Sequence, residues 1–282
     1  MPSGLVKHMK QILFASVLVN AALFIFFSIG YVPVSDSQMY WYGGIFLMLF
    51  ACTHGWYRYG LYKMILFFCI TTLIAWLLES FSISTGIPFG RFVYTELLGE
   101  KLGLVPIMIF PAYFFNGYLA WSMAGIFCGQ QKTGISRRHL IRIPLIASLL
   151  MVAWNACFDP ILSSLKGYWI WRSSGIYFGV PLSNFMGWFI TTYLIFQLFA
   201  LILYRYDHDE PIEIDRYFWI LIPVMYATQA LPYLIYPLFR SQGREIYRPI
   251  ALITVFVMIL PAVLNFLVYF NSVHLRLRHD RQ

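Results

Sequence analysis

Apolar residues in this chain gather into eight runs of about 20, the length that carries a helix across a hydrocarbon core of ~30 Å. They cover residues 11–30, 39–56, 61–80, 104–128, 143–165, 184–204, 217–238 and 249–270, and short segments carrying charge, glycine and proline separate them. Backbone N–H and C=O groups must be paired inside lipid, so each run is predicted to be helical. Barrel strands alternate apolar and polar positions, whereas residues 13–28 are apolar on every face, which argues against a barrel. Lys7 and Lys10 ahead of the first run resemble the start of a signal sequence. The run is long, however, and lacks a small-x-small cleavage site, so it reads as a retained first helix. No internal repeat, low-complexity stretch or linker interrupts the pattern. The expectation is one all-α domain over residues 1–282, a polytopic bundle of about eight transmembrane helices.

Composition supports this. Of 282 residues, 60% are hydrophobic and 11% charged, against roughly 25% charged in a soluble domain, and the mean hydropathy is +0.69. The net charge of +8 invites a nucleic-acid reading, but the 20 basic residues are scattered among short loops rather than gathered in a patch. They read as topology determinants. Eight crossings put both termini on one side, with the segments 7–10, 58–63, 132–142, 205–216 and 276–281, which hold thirteen Lys and Arg. The segments 91–101, 166–172 and 240–248 on the other side hold the remaining seven. Positive charge accumulates on the cytoplasmic face, so both termini are expected there, in the cell membrane. Cys52, Cys69, Cys128 and Cys157 stand singly, which indicates neither a disulfide framework nor a thiolate metal site.

Two segments on the predicted outer side, 80–103 and 166–183, mix glycine, proline and aromatics. They are expected at headgroup level or tucked back among the helices. Trp169, Trp171, Tyr177 and Trp188 crowd around glycines and suggest a shaped, re-entrant lid.

Of twelve Asp and Glu, Glu79 and Asp159 alone fall within the predicted spans. An acid at the centre of a membrane helix costs about 2.5–3.5 kcal/mol on insertion scales and is usually paired or functional. Both acids sit toward the outer ends of their helices. Asn155 lies one helical turn before Asp159, on the same face, and Asn184 opens the sixth span on that side. The four residues form a candidate polar cluster, although each acid could instead cap its helix end. A carboxylic acid kept protonated in apolar surroundings suits proton donation, and aromatic faces stabilise cations by about 0.5–2 kcal/mol each. Proton donor, water-holding amide and aromatic wall suit addition of water to an alkene, and equally suit proton-coupled transport of a lipid or small hydrophobic solute. A cofactor-free lipid isomerase or cyclase would use the same groups. Tyr226, Gln229, Tyr233 and Tyr236 make a polar stripe on the seventh span, and His54 is the one histidine within a span. Both read first as helix-packing features. There are no paired histidines for di-iron chemistry, no dinucleotide fingerprint and no phosphate-binding GK[ST] loop, so neither metal nor redox cofactor is expected.

Further elements are His54 with Tyr59-Gly60, Glu79 followed by Gly86-Ile-Pro-Phe-Gly90, Phe92-Val-Tyr94-Thr95, Leu98-Gly99 and Val105-Pro106. Then come Asp159-Pro160, Trp169-Ile-Trp171, Gly175-Ile-Tyr177-Phe-Gly179-Val180-Pro181 and Asn184-Phe-Met-Gly187-Trp188. From His54 to Trp188 this series resembles the membrane-bound carotenoid biosynthesis hydratases, the group containing γ-carotene 1′,2′-hydratase and bisanhydrobacterioruberin hydratase. The segment YFGVPLSNFMGW is its most specific part. The resemblance implies acid-catalysed addition of water across the terminal C1=C2 bond of an acyclic carotenoid end group, through a tertiary cation. The implied partners are a carotenoid in the bilayer, membrane lipids and other enzymes of carotenoid synthesis. Resemblance and burial together nominate Asp159 as proton donor, Glu79 to position or deprotonate water, and Asn184 to hold it. Asn155, Trp169, Trp171, Tyr177, Trp188, Tyr94, Tyr233 and His54 are the expected substrate contacts. The chain departs from the family pattern at Asn155, where an acid is common, and around Tyr113.

Overall fold

The computed structural model describes residues 3–32, 35–206 and 216–279. Its helices are α1 (Ser3–Ile29), α2 (Asp36–Tyr59), α3 (Leu61–Thr85), α4 (Ile109–Phe127), α5 (Arg142–Asp159), α6 (Leu182–Tyr206), α7 (Arg216–Thr228), α8 (Leu231–Phe239), α9 (Arg244–Thr254) and α10 (Leu260–His279). The pair α7–α8 forms one broken rod, and α9 runs into α10 through a π-helical stretch, Val255–Ile259, so among the described residues the helices make eight rods. Six of them are long and apolar enough to cross a membrane. The other two, α2 and α4, have 24 and 19 residues.

Burial explains why α4 can carry polar and aromatic side chains in mid-helix. Every residue from Tyr113 to Ile126 is buried, so this helix meets protein and the interior cavity rather than lipid and tolerates Tyr, Asn and Trp. The peripheral helices show the inverse pattern. Leu73, Leu77 and Phe81 on α3, Leu194, Leu198 and Leu201 on α6, and Val263, Leu264 and Leu267 on α10 all face outward. Outward-facing apolar belts of this size need a hydrocarbon solvent, and the protein is a multi-pass membrane protein. Buried polar contacts tie the rods together: Asn20 donates to Thr228 Oγ1 at 2.8 Å and Asn265 to the Met123 carbonyl at 2.8 Å. Arg281, part of the charge bias, lies outside the described residues, as does the acidic segment 207–215.

The first helix starts at Ser3, eight residues before its predicted span, the third runs five residues past its own to Thr85, and three further spans differ. The fourth begins at Ile109 rather than 104, because Gly103 turns the chain at φ +65° and Val105–Pro106 (β3) pairs with Lys101–Leu102 (β2). The seventh breaks between Thr228 and Leu231. Pro232 has no N–H to offer the carbonyl four residues back, so the helical ladder cannot run through. The eighth starts at Arg244, after Gly243 at φ +73°, and carries Pro249 in its interior.

The two aromatic loops fold back over one end of the bundle as a shaped lid. Phe92–Tyr94 (β1) and Trp169–Trp171 (β4) pair as a short antiparallel ribbon, with Phe92 opposite Trp171 and Tyr94 opposite Trp169. Thr95 extends the join through its N–H and hydroxyl to the Tyr168 carbonyl, each at 3.0 Å. This ribbon caps one end of the bundle. The Gly86–Gly90 turn anchors it: the Phe89 N–H donates to Ser82 Oγ on α3 and its carbonyl accepts from Ser183 Oγ on α6. Gly90, at φ +106°, leaves the room that Ser183 occupies.

Candidate active site

Below the cap lies a cavity of about 530 Å³, walled mainly by aromatic and aliphatic side chains from α2, α4, α5, α6, α8 and the ribbon. Glu79 and Asp159 both line it and are 3% and 1% exposed. They come from different helices and are close enough to interact electrostatically.

Their surroundings are unlike. Glu79 accepts a hydrogen bond on each oxygen, from Tyr94 Oη to Oε2 and from Tyr113 Oη to Oε1, both at 3.0 Å. Burial first, and then the Glu79 charge beside it, push the Tyr94 hydroxyl well above the usual phenol range, so it stays a donor. Asp159 receives both its amide donors on one oxygen: Asn155 Nδ2 at 3.1 Å and Asn184 Nδ2 both point to Oδ2. Oδ1 has no hydrogen bond among the described residues.

Local backbone places Asp159. Pro160 follows it and opens a π-helical turn, Pro160–Leu165, and such turns recur at functional sites. Pro160 cannot donate to the Ala156 carbonyl, and Tyr177 Oη takes that role at 3.0 Å. Ser163 Oγ in turn donates to the Asp159 carbonyl at 2.7 Å. The Gly175–Val180 turn thus braces the helix end that carries the acid.

The aromatic wall is continuous. Trp188 stacks on Tyr113 with centroids 4.6 Å apart and meets Trp154 and Phe89 edge to face. Trp169 and Trp171 reach the cavity from the ribbon, beside Tyr94 and Phe92. Tyr233 and Gln229 line the cavity from the break between α7 and α8, whereas Tyr226 bonds to the Leu150 carbonyl and Tyr236 stacks on Tyr247. The polar stripe therefore divides: two members face the chamber and two pack helices.

Three expected substrate contacts stand outside the cavity wall. Asn155 is fully buried behind Asp159 and holds its carboxyl group. Tyr177 braces α5. His54 hydrogen-bonds Tyr118 and the Phe218 carbonyl and stacks on the Phe218 ring at 3.6 Å, joining α2, α4 and α7. Its Nε2 faces a carbonyl and must carry the proton, leaving Nδ1 to accept from Tyr118. Conversely, the wall includes Tyr113, Asn116, Trp154, Phe158 and Tyr168, which the loop and acid patterns did not single out. Tyr113 and Asn116 sit three apart on α4, a spacing common to any packed helix, and only Glu79 beside Tyr113 gives that position meaning. Among the described residues, no cluster of three or more His, Cys, Asp or Glu is arranged to hold a metal ion.

Tyr177→Phe tests the bracing role. Loss of the hydroxyl leaves the Ala156 carbonyl unpaired, at a cost of about 1–3 kcal/mol. A lowered melting temperature with unchanged affinity for a bound hydrophobic ligand is expected, and a selective loss of that affinity would restore Tyr177 as a ligand contact.

The fold and site define a class: an intramembrane protein with two buried carboxyl groups facing a chamber walled by aromatic side chains. The family follows from sequence comparison, for residues 39–261 match the carotenoid biosynthesis protein family, and the chain belongs to it. A curated relative, bisanhydrobacterioruberin hydratase of Haloarcula japonica, is 30% identical over 130 residues, 45% of this chain and 42% of the relative. The match thus spans less than half of that protein. No solved structure matches the chain.

Proposed function

We propose that the protein adds water across the terminal C1=C2 bond of an acyclic carotenoid end group. The observation that carries this reading is the unequal hydrogen bonding of the two carboxyl groups. Glu79, with a donor on each oxygen, is arranged as a carboxylate, since an ionised carboxyl accepts only. Asp159, with both amides on Oδ2, keeps Oδ1 for a proton that can be delivered into the cavity. The site then holds one transferable proton between two acids.

Asp159 protonates C2 of the trisubstituted alkene, and the π electrons form the new C–H bond, leaving a tertiary cation at C1. Trp188, Trp169 and Trp171 line the cavity and supply aromatic surface to that charge. Water adds to C1, and Glu79 takes the proton that the water releases. Alkene and water are consumed, a tertiary alcohol forms, and the proton has moved from Asp159 to Glu79. Its return through the shared cavity resets the pair. Asn184 and Asn155 hold Asp159 in place, and Tyr94 and Tyr113 hold Glu79. Membership in a carotenoid biosynthesis family and the hydratase relative support this assignment. The charge bias of the loops supports a place in the cytoplasmic membrane with both termini inside, which sets the chamber toward the outer leaflet. The substrate is drawn from the bilayer.

Expression in a bacterial host that accumulates an acyclic C40 carotene provides the test. Pigment heavier by one water, ~18 Da, is the expected product. Pigment isomerised without mass change would assign the same cation to cyclisation, and unaltered pigment across several acyclic carotenes would overturn the enzyme reading.

A further inference from the structure

The chamber is not closed on all sides. On α2, Trp41, Ile45 and Leu49 line it, yet they are 49%, 55% and 41% exposed on the outer surface. Their four-residue spacing puts them on one stripe of the helix. Ile109 and Ala112, in the first turns of α4, also line the cavity and are part-exposed. Between them Gly44 contributes no side chain, and a Cβ there would meet only the Phe115 ring, at 3.7 Å. The interior therefore reaches the lipid-facing surface through an apolar gap between α2 and α4. That wall is distinct from the one built by α5 and α6, which carries Asp159 and Asn184.

Size decides what passes through this gap. Along α2 the cavity runs from Tyr40 to Cys52, about 18 Å at 1.5 Å per residue, whereas an extended C40 polyene is about as long as the ~30 Å hydrocarbon core is thick. An end group and part of the polyene fit, and the remainder must lie elsewhere. The paired ribbon covers the chamber at that end, whereas the side between α2 and α4 opens directly onto hydrocarbon.

We infer that the polyene enters sideways from the bilayer between α2 and α4, one end group at a time, with its remaining length left in lipid. This rests on the hydratase reading. Ile45 and Leu49 are then determinants of substrate length that take no part in the chemistry. A carotene with two identical ends must leave after the first addition and re-enter by its other end, so each hydration is a separate encounter.

The purified protein in lipid nanodiscs is given two substrates with the same 2-methyl-2-alkene terminus, an acyclic C40 polyene and a C10 hydrocarbon. Ile45→Trp and Leu49→Trp, which narrow the gap, are expected to lower the ratio of C40 to C10 turnover about tenfold or more, because a C10 chain clears the gap once bound whereas a C40 chain must keep it occupied. Unchanged C40 turnover in both variants, or equal loss on both substrates with an unchanged melting temperature, would overturn the inference. A time course on the unsubstituted protein is independent of how well the variants fold. Free singly hydrated C40 product in molar excess over protein is expected before any doubly hydrated product. Doubly hydrated product formed without that intermediate would overturn one-end entry. A wild-type protein that hydrates neither substrate would instead remove the hydratase reading itself, an outcome distinct from the others.

Discussion

Asp159→Asn should lower hydration of an acyclic carotene by about 10²–10⁴-fold, the range over which a positioned general acid contributes. The substitution separates proton donation from architecture. An asparagine side chain has nearly the shape of aspartic acid, and its carbonyl oxygen can still accept from Asn155 and Asn184. The amide has no acidic proton to deliver to C2. The bundle and its melting temperature should therefore change little while turnover collapses. Measurement of pigment hydration beside a melting curve separates the two effects. An Asp159→Asn protein with full turnover would eliminate Asp159 as the acid and leave Glu79 or a bound water to initiate the reaction.

Gly187→Ala should cost about 1–3 kcal/mol of stability, or about 2–4 °C in melting temperature per kcal/mol for a chain of this size. It should also remove most of the activity. A Cβ at this position on α6 would lie 2.5 Å from Phe89 Cδ1 and 2.9 Å from Phe89 Cα. The ring alone cannot relieve such a contact, because the backbone is involved. Nor is the backbone free to move, since Ser82 and Ser183 hold the Phe89 N–H and carbonyl from two helices. Either α6 shifts with Asn184 and Trp188, or the turn lifts and carries the ribbon with it. Both outcomes disturb the wall around Asp159. A Gly187→Ala protein that melts and turns over like the wild type would show that the cap is free to reposition without affecting the site.

Much of the architecture was legible in the chain. Long apolar runs can satisfy their backbone in lipid only as helices, so the existence of the rods follows from length and composition. Their interruptions were harder to read. Pro232 breaks the seventh rod while Pro249 sits inside a helix, because the consequence of a missing N–H depends on what else can satisfy the freed carbonyl. Tyr177 illustrates the same point. Its sequence neighbourhood suggested a ligand contact, whereas its hydroxyl serves the carbonyl that Pro160 leaves without a donor. The ribbon was illegible because its two strands are three residues each and lie some 75 positions apart in sequence. Strands so short have no periodicity to detect, and they pair only once the helices bring them together.

The sequence by itself determined that this is a helical membrane protein, and that two acids in spans that hold no other acid need a reason to be there. That much depends on the cost of placing charge and unpaired backbone in hydrocarbon, which is a local property. Tertiary structure alone decided which oxygen of each acid is occupied and which aromatics face the chamber. It also decided where the chamber meets the lipid. Those are properties of side chains from distant segments meeting at one depth, and no local pattern encodes that meeting.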